Sequence, residues 1–150
     1  MIVGVPREIL PGEQRVALTP DLVPKQTKSG LSVLLETEAG RSAGFPDSEY
    51  REQGALLDPE ALCKADVVLK VRPPTAEEIR RMKAGALLIG FLQPWTNESG
   101  IKLLTERRIT AFALELMPRI ARAQRAPSDS RVGSGPRARW DAFSPCAARR

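Results

Sequence analysis

Through the first 124 residues, short apolar runs alternate with amphipathic stretches, and this alternation constrains the fold more than any other feature. Residues 2–5 are apolar and stop at Pro6, which predicts a first strand. Residues 32–36, 66–71, 86–92 and 110–116 read as four more. The run over 86–92 is continuously apolar, as a central parallel strand requires. Helix signals fall between the strands. Thr19-Pro20 pairs an N-cap residue with a proline at the first helical position, and Gly30 supplies the stop. Pro24 sits awkwardly in the second turn of that helix. Residues 47–53, closed by Gly54, and 59–64 read as short helices. Thr75-Ala76-Glu77-Glu78 has the capping-box pattern and opens a helix to about Lys83. Asn97 caps another to about Arg107. Strands alternating with helices predict an α/β fold, an open parallel sheet with helices on both faces.

Residues 125–150 break the pattern. Alanine, arginine, serine, proline and glycine dominate, with Gly133-Ser134-Gly135-Pro136 in the middle. Neither a helix nor a strand period persists, although Trp140 and Phe143 could pack. The composition predicts a disordered C-terminal tail behind a domain over 1–124. This division changes the meaning of the net charge of +5 and the pI of about 9.7. A basic pI invites a nucleic-acid reading. Yet the tail holds six arginines, no lysine and two aspartates, a net +4, while 1–124 holds 17 bases against 16 acids, a net +1. The body is nearly neutral, so no nucleic-acid partner is expected.

Other classes drop out on composition. No stretch approaches the roughly 20 apolar residues of a membrane span, and the N-terminus has no signal-peptide pattern. Cys63 and Cys146 fit a reduced, cytoplasmic compartment and form no metal spacing. The chain has no histidine. That excludes a histidine-based triad, a His-rich zinc site and a histidine general base.

No glycine loop here cradles a pyrophosphate. Gly40-Arg41-Ser42-Ala43-Gly44 lacks the G-x-G-x-x-G spacing, and Gly85 and Gly90 flank a strand, where they permit a turn and close packing. Three features point to the carboxyl ends of the strands, where open α/β sheets bind ligands. Arg15 lies in the loop after the first strand; it could grip a carboxylate, or pair with Glu8 or Glu13 as a surface residue. Lys70 ends the apolar run 67–70; it could face the crevice, or snorkel to solvent. Met117-Pro118-Arg119-Ile120-Ala121-Arg122-Ala123-Gln124 follows the last strand, with two arginine forks and an amide suited to a carboxamide, phosphate or carboxylate. A helix start with exposed arginines fits the same spacing.

Together these segments resemble one family. Gly4-Val5-Pro6-Arg7-Glu8 followed by Arg15-Val16-Ala17-Leu18-Thr19-Pro20 is similar to the N-terminal signature of the alanine dehydrogenase/pyridine nucleotide transhydrogenase family. Gly40 to Phe45, Asp66-Val67-Val68-Leu69-Lys70-Val71 and Gly90-Phe91-Leu92 match further segments in order, so the resemblance covers about 1–124. The loop 117–124 resembles the transhydrogenase alpha-subunit branch, whose corresponding loop closes over the nicotinamide. Phe91-Leu92-Gln93-Pro94 fits that branch as well. Alanine dehydrogenases carry a catalytic histidine where Gln93 stands, and a pyruvate-reducing site of that type lacks its proton donor here.

The resemblance implies a Rossmann/flavodoxin-like N-terminal domain of a proton-translocating NAD(P) transhydrogenase. It implies hydride transfer between NAD(H), bound by the alpha subunit, and NADP(H) on the partner subunit. Arg119 and Gln124 would take the catalytic and cofactor-binding role of orienting the nicotinamide carboxamide, with the backbone of Ile120 and Ala121 beside it. Arg15 and Lys70 match substrate-pocket positions of the dehydrogenase branch. Expected partners are the membrane and NADP-binding subunits and a second alpha subunit in a homodimer, at a site peripheral to the inner membrane. No metal is expected. After Gln124 the family pattern stops: Pro127 stands where the family has an aspartate, and no nucleotide-binding second domain follows. The expectation is a truncated, inactive chain whose tail is out-of-frame translation of a GC-rich gene. Two other readings remain open. One is an alanine-dehydrogenase-like fragment; the other is a noncatalytic module whose basic tail docks on RNA or acidic lipid.

Overall fold

The computed structural model describes residues 1–117. Six strands form one sheet: β1 Ile2–Val5, β2 Ser32–Leu35, β3 Leu56–Leu57, β4 Val67–Leu69, β5 Leu87–Gly90 and β6 Thr110–Ala113. Every pairing is parallel and the order is β3-β2-β1-β4-β5-β6. The helices are α1 Val23–Lys28, α2 Asp47–Glu52, α3 Ala61–Lys64, α4 Ala76–Arg81 and α5 Glu98–Glu106. Helices on both faces of an open parallel sheet are thus observed. Val23 of α1 and Tyr50 of α2 pack with Val5, Val33 and Leu35 on one face. Leu62 of α3, Ile79 of α4 and Leu104 of α5 pack with Val68 and Leu88 on the other.

The differences from the sequence reading are local. The sheet gains β3, a two-residue strand too short to carry a periodic signal. The last strand stops at Ala113, and Leu114–Leu116 forms a single 3₁₀ turn. The helix expected from Thr19 divides. Pro20–Leu22 is a 3₁₀ turn and the α-helix restarts at Val23, so Pro24 occupies the first turn, where no N–H is needed. Thr19 makes no side-chain cap. The other two caps form as read. Thr75 Oγ1 accepts from the Glu78 N–H while the Glu78 carboxylate accepts from the Thr75 N–H, and Asn97 Oδ1 accepts from the Gly100 N–H.

Gly4 shows why β1 can be central. A β-carbon there would lie 2.6 Å from the Ala65 Cβ and 2.7 Å from the Ala61 carbonyl oxygen. Only a bare backbone lets α3 lie this close to the sheet. The chain leaves β1 toward β2 on one side and returns to β4 on the other. The crossovers after β1 and β4 therefore run to opposite sides of the sheet, and the carboxyl ends of these two strands form the switch point where open α/β sheets have their crevice.

Candidate functional site

Three carboxylates and three cations meet at that crevice. Glu8, in the loop after β1, accepts from the N–H of Val71 at 2.7 Å and of Arg72 at 3.4 Å. It thereby ties the β1 loop to the β4 loop. Lys70 directly follows β4 and is 2% exposed. Its Nζ lies 2.5 Å from Glu78 Oε1 and 3.6 Å from Glu8 Oε2. The other Glu78 oxygen caps α4 through Thr75. A charge this deep is tolerable because it is paired twice. Burial pushes the Glu8 carboxyl above the usual carboxylate value, with Lys70 and the two backbone N–H groups opposing.

Nearer the mouth, Glu13 holds two arginines. Its Oε1 accepts from the Arg15 N–H at 3.0 Å and from Arg15 Nε at 2.7 Å. Its Oε2 accepts from an Arg15 terminal nitrogen and from Arg72 Nε, both at 2.6 Å. The hydrogen bonds from Arg15, above all, hold the Glu13 carboxyl down at about 2. Arg15 and Arg72 themselves remain partly exposed.

Of the residues singled out in the sequence, the fold brings Arg15 and Lys70 to the carboxyl-end crevice. They stand differently there: Arg15 at the mouth against Glu13, Lys70 inside against Glu78 and Glu8. Arg119, Ile120, Ala121, Gln124 and the tail over 125–150 lie outside the described residues. Sequence reading passed over Arg72, which stands beside Arg15 because both bind one carboxylate. It also passed over Glu115, whose Oε1 accepts from the N–H of Leu92 at 2.9 Å and from the N–H of Gln93. Gln93 has a left-handed backbone, φ 50, which Glu115 helps to hold. Neither residue lies in a motif, so only the fold reveals them. Among the described residues, no His, Cys, Asp and Glu cluster could hold a metal ion. No helix there is long and apolar enough to cross a membrane.

The fold recurs in solved structures, and the sequence matches a known family. The family model for "Alanine dehydrogenase/PNT, N-terminal domain" matches residues 4–130. The chain belongs to this family. The NAD(P) transhydrogenase subunit alpha of Haemophilus influenzae is 42% identical over 125 residues, which is 83% of this chain and 24% of that protein. The alanine dehydrogenase of Bacillus subtilis is more distant, 38% identical over 117 residues, 77% of this chain and 31% of that protein. The crystal structure of transhydrogenase from Sinorhizobium meliloti superimposes with a TM-score of 0.80 at 42% identity, covering 83% of this chain and 38% of that one. This member of the alanine dehydrogenase/PNT family thus spans well under half the length of the relatives it matches. Its likeness to the transhydrogenase alpha subunit exceeds its likeness to alanine dehydrogenase, and both belong to oxidoreductases.

Proposed function

We propose that the chain is the N-terminal domain of an NAD(P) transhydrogenase alpha subunit, serving hydride transfer between NAD(H) and NADP(H) coupled to proton translocation. The observation that carries this reading is Gln93, in the loop after β5, with no histidine in the chain. Transfer of hydride directly between two nicotinamide rings needs no protein proton donor, whereas reduction of a keto acid does. The protein's part is then positioning. When bound, NAD(H) supplies the hydride chemistry.

The residues of this chain divide that work. Arg119 and Gln124 orient the carboxamide, flanked by the Ile120 and Ala121 backbone. Glu8, Lys70 and Glu78 fix the floor of the crevice, and Glu13 holds Arg15 and Arg72 at its mouth. NADP(H) sits on the partner subunit. The membrane and NADP-binding subunits, and a second alpha subunit, complete the assembly on the cytoplasmic side of the membrane. The domain boundary lies at 124.

The test assays the chain with and without the NADP-binding and membrane subunits, following both alanine-dependent NAD⁺ reduction and NADPH-dependent reduction of an NAD⁺ analogue. No alanine oxidation is expected under any condition. Alanine oxidation by the chain would overturn the reading. So would NADH binding by the isolated chain as tight as that of an intact dehydrogenase, followed by nucleotide fluorescence.

A further inference from the structure

The ion cluster at the switch point does not balance. Glu8, Glu78 and Lys70 carry two negative charges and one positive, on side chains that are 5%, 9% and 2% exposed. The two carboxylates compete for one ammonium and share it unevenly: Nζ stands 2.5 Å from Glu78 Oε1 and 3.6 Å from Glu8 Oε2. Glu78 directs its other oxygen to the Thr75 N–H at the start of α4. Glu8 has Oε1 on the Val71 N–H at 2.7 Å, whereas Oε2 has only the Arg72 N–H at 3.4 Å and the more distant ammonium. Among the described residues, Oε2 is therefore the most weakly held oxygen of the cluster, and it is the one a proton would take.

The neighbouring charges of the described residues do not correct the imbalance. Arg15, from the loop after β1, acts on Glu8 only at longer range, because Glu13 engages its guanidinium and its N–H. The Arg72 side chain turns to Glu13 as well, and only its N–H faces Glu8. α4 contributes Glu78, whose charge repels. A buried trio with a net charge of −1 is costly, and uptake of one proton removes that charge. Burial, with the Glu78 charge adding to it, raises the Glu8 carboxyl above its ordinary 4.5, against Lys70 and the two backbone N–H groups.

We propose that Glu8 is a proton-dependent latch between the loops after β1 and β4. Ionised, it accepts from the N–H groups of both Val71 and Arg72. A proton from solvent on Oε2 turns that oxygen from acceptor to donor. The Val71 bond survives on Oε1, the Arg72 N–H loses its acceptor, and Lys70 belongs to Glu78 alone. The charge of the cluster then falls to zero, so one long hydrogen bond is given up for a neutral interior. The Arg72 side chain is one of the two cations on Glu13, so a proton taken up inside is felt at the mouth. The latch does not depend on the hydride-transfer reading.

NMR of the full 150-residue chain tests this, following the Glu8 side-chain carboxyl carbon and the backbone amides from about pH 8 to about pH 3. The Glu8 carboxyl should titrate with a midpoint above 4.5, and the Arg72 amide should move with that same midpoint while the Val71 amide moves less. Below it, protection of the Arg72 amide from hydrogen exchange, taken against an unfolded amide at the same pH, should fall by at least about tenfold. Glu13, held at about 2, titrates outside this range and does not mimic the signal. In Glu8→Gln the Arg72 amide should stay at its low-pH position throughout. In Glu78→Gln the competitor for Lys70 is gone, and the Glu8 midpoint should fall by about one pH unit. The wild-type titration decides by itself if either variant fails to fold. A Glu8 midpoint at or below 4.5, an Arg72 amide that does not follow it, or one that still titrates in Glu8→Gln overturns the proposal. So does a Glu8 midpoint that Glu78→Gln leaves unmoved.

Discussion

Glu13 and Arg72 stand 59 residues apart in sequence and 2.6 Å apart in the fold. This one bond spans the switch point, from the β1 loop to the β4 loop, and brings Arg72 beside Arg15. Its pH dependence has a definite sign. The fold holds the Glu13 carboxyl at about 2, against an ordinary 4.5. The charged form is therefore favoured in the folded state. Its contribution is complete above pH 4.5 and is lost as pH falls from there through about 2. Both arginines are partly exposed, so screening reduces the effect to about 1 kcal/mol. Urea unfolding of Glu13→Gln at pH 5 and pH 2.5 should show an acid loss smaller than wild type by that amount. Equal losses would sink the assignment. Glu8 runs the other way. Its carboxyl is raised by burial, so its contribution is complete below pH 4.5 and is lost as pH rises through the raised value. Glu8→Gln should therefore not flatten the acid limb.

Lys70→Met should be severely destabilising, by about 3–5 kcal/mol, because it leaves the buried Glu8 and Glu78 carboxylates without their cation. A partly exposed arginine at the same switch point provides the comparison: Arg72→Met should cost about 1 kcal/mol or less. Urea midpoints measure both. Adding Glu78→Gln to Lys70→Met should recover part of the loss, since one orphaned charge then disappears. A double variant less stable than the single one would contradict the pairing.

How much of this was legible beforehand depended on whether a signal was local. Five strands announced themselves as apolar runs, and Thr75 and Asn97 announced two helices, because these patterns act within one turn or one strand. β3 was invisible, since Leu56 and Leu57 acquire their strand character only by pairing with Leu34 and Leu35. Lys70 could be placed at a strand end, but not inside the protein. Its burial depends on Glu78, eight residues on, and on Glu8, from another loop. Pro24 looked like a flaw until the helix was seen to restart one residue before it. The charge total needed division along the chain before it meant anything.

Gly4→Ala tests the close approach of α3 to β1. The added carbon meets the Ala65 Cβ at 2.6 Å and the Ala61 carbonyl at 2.7 Å. Neither neighbour is the flexible end of a long side chain, so α3 itself must shift. The expected cost is about 1–3 kcal/mol, the range for overpacking a tight site. Thermal unfolding measures it. Gly85→Ala would be a poor control, because its φ of 78 already disfavours any side chain. Ala111→Gly on β6, which removes a carbon instead of adding one, should cost about 1 kcal/mol or less.

Glu115 offers the sharpest local test, because its carboxylate is half used. One oxygen accepts from both Leu92 and Gln93, and the other is buried with no partner among the described residues. A buried oxygen with no donor contributes nothing favourable, so the net value of this side chain to overall stability is small. Its value to the β5 loop is larger. Without it, two backbone N–H groups lose their acceptor, and Gln93 loses what holds its left-handed backbone. Glu115→Ala should therefore change the global unfolding midpoint little while amide hydrogen exchange at Leu92 and Gln93 accelerates by at least about tenfold. Glu115→Gln keeps an acceptor oxygen and should restore most of the protection. It also turns the unpartnered position into an N–H₂ donor. If exchange at Leu92 and Gln93 follows global unfolding in all three proteins, the loop is held by packing alone, and Glu115 does not position residue 93.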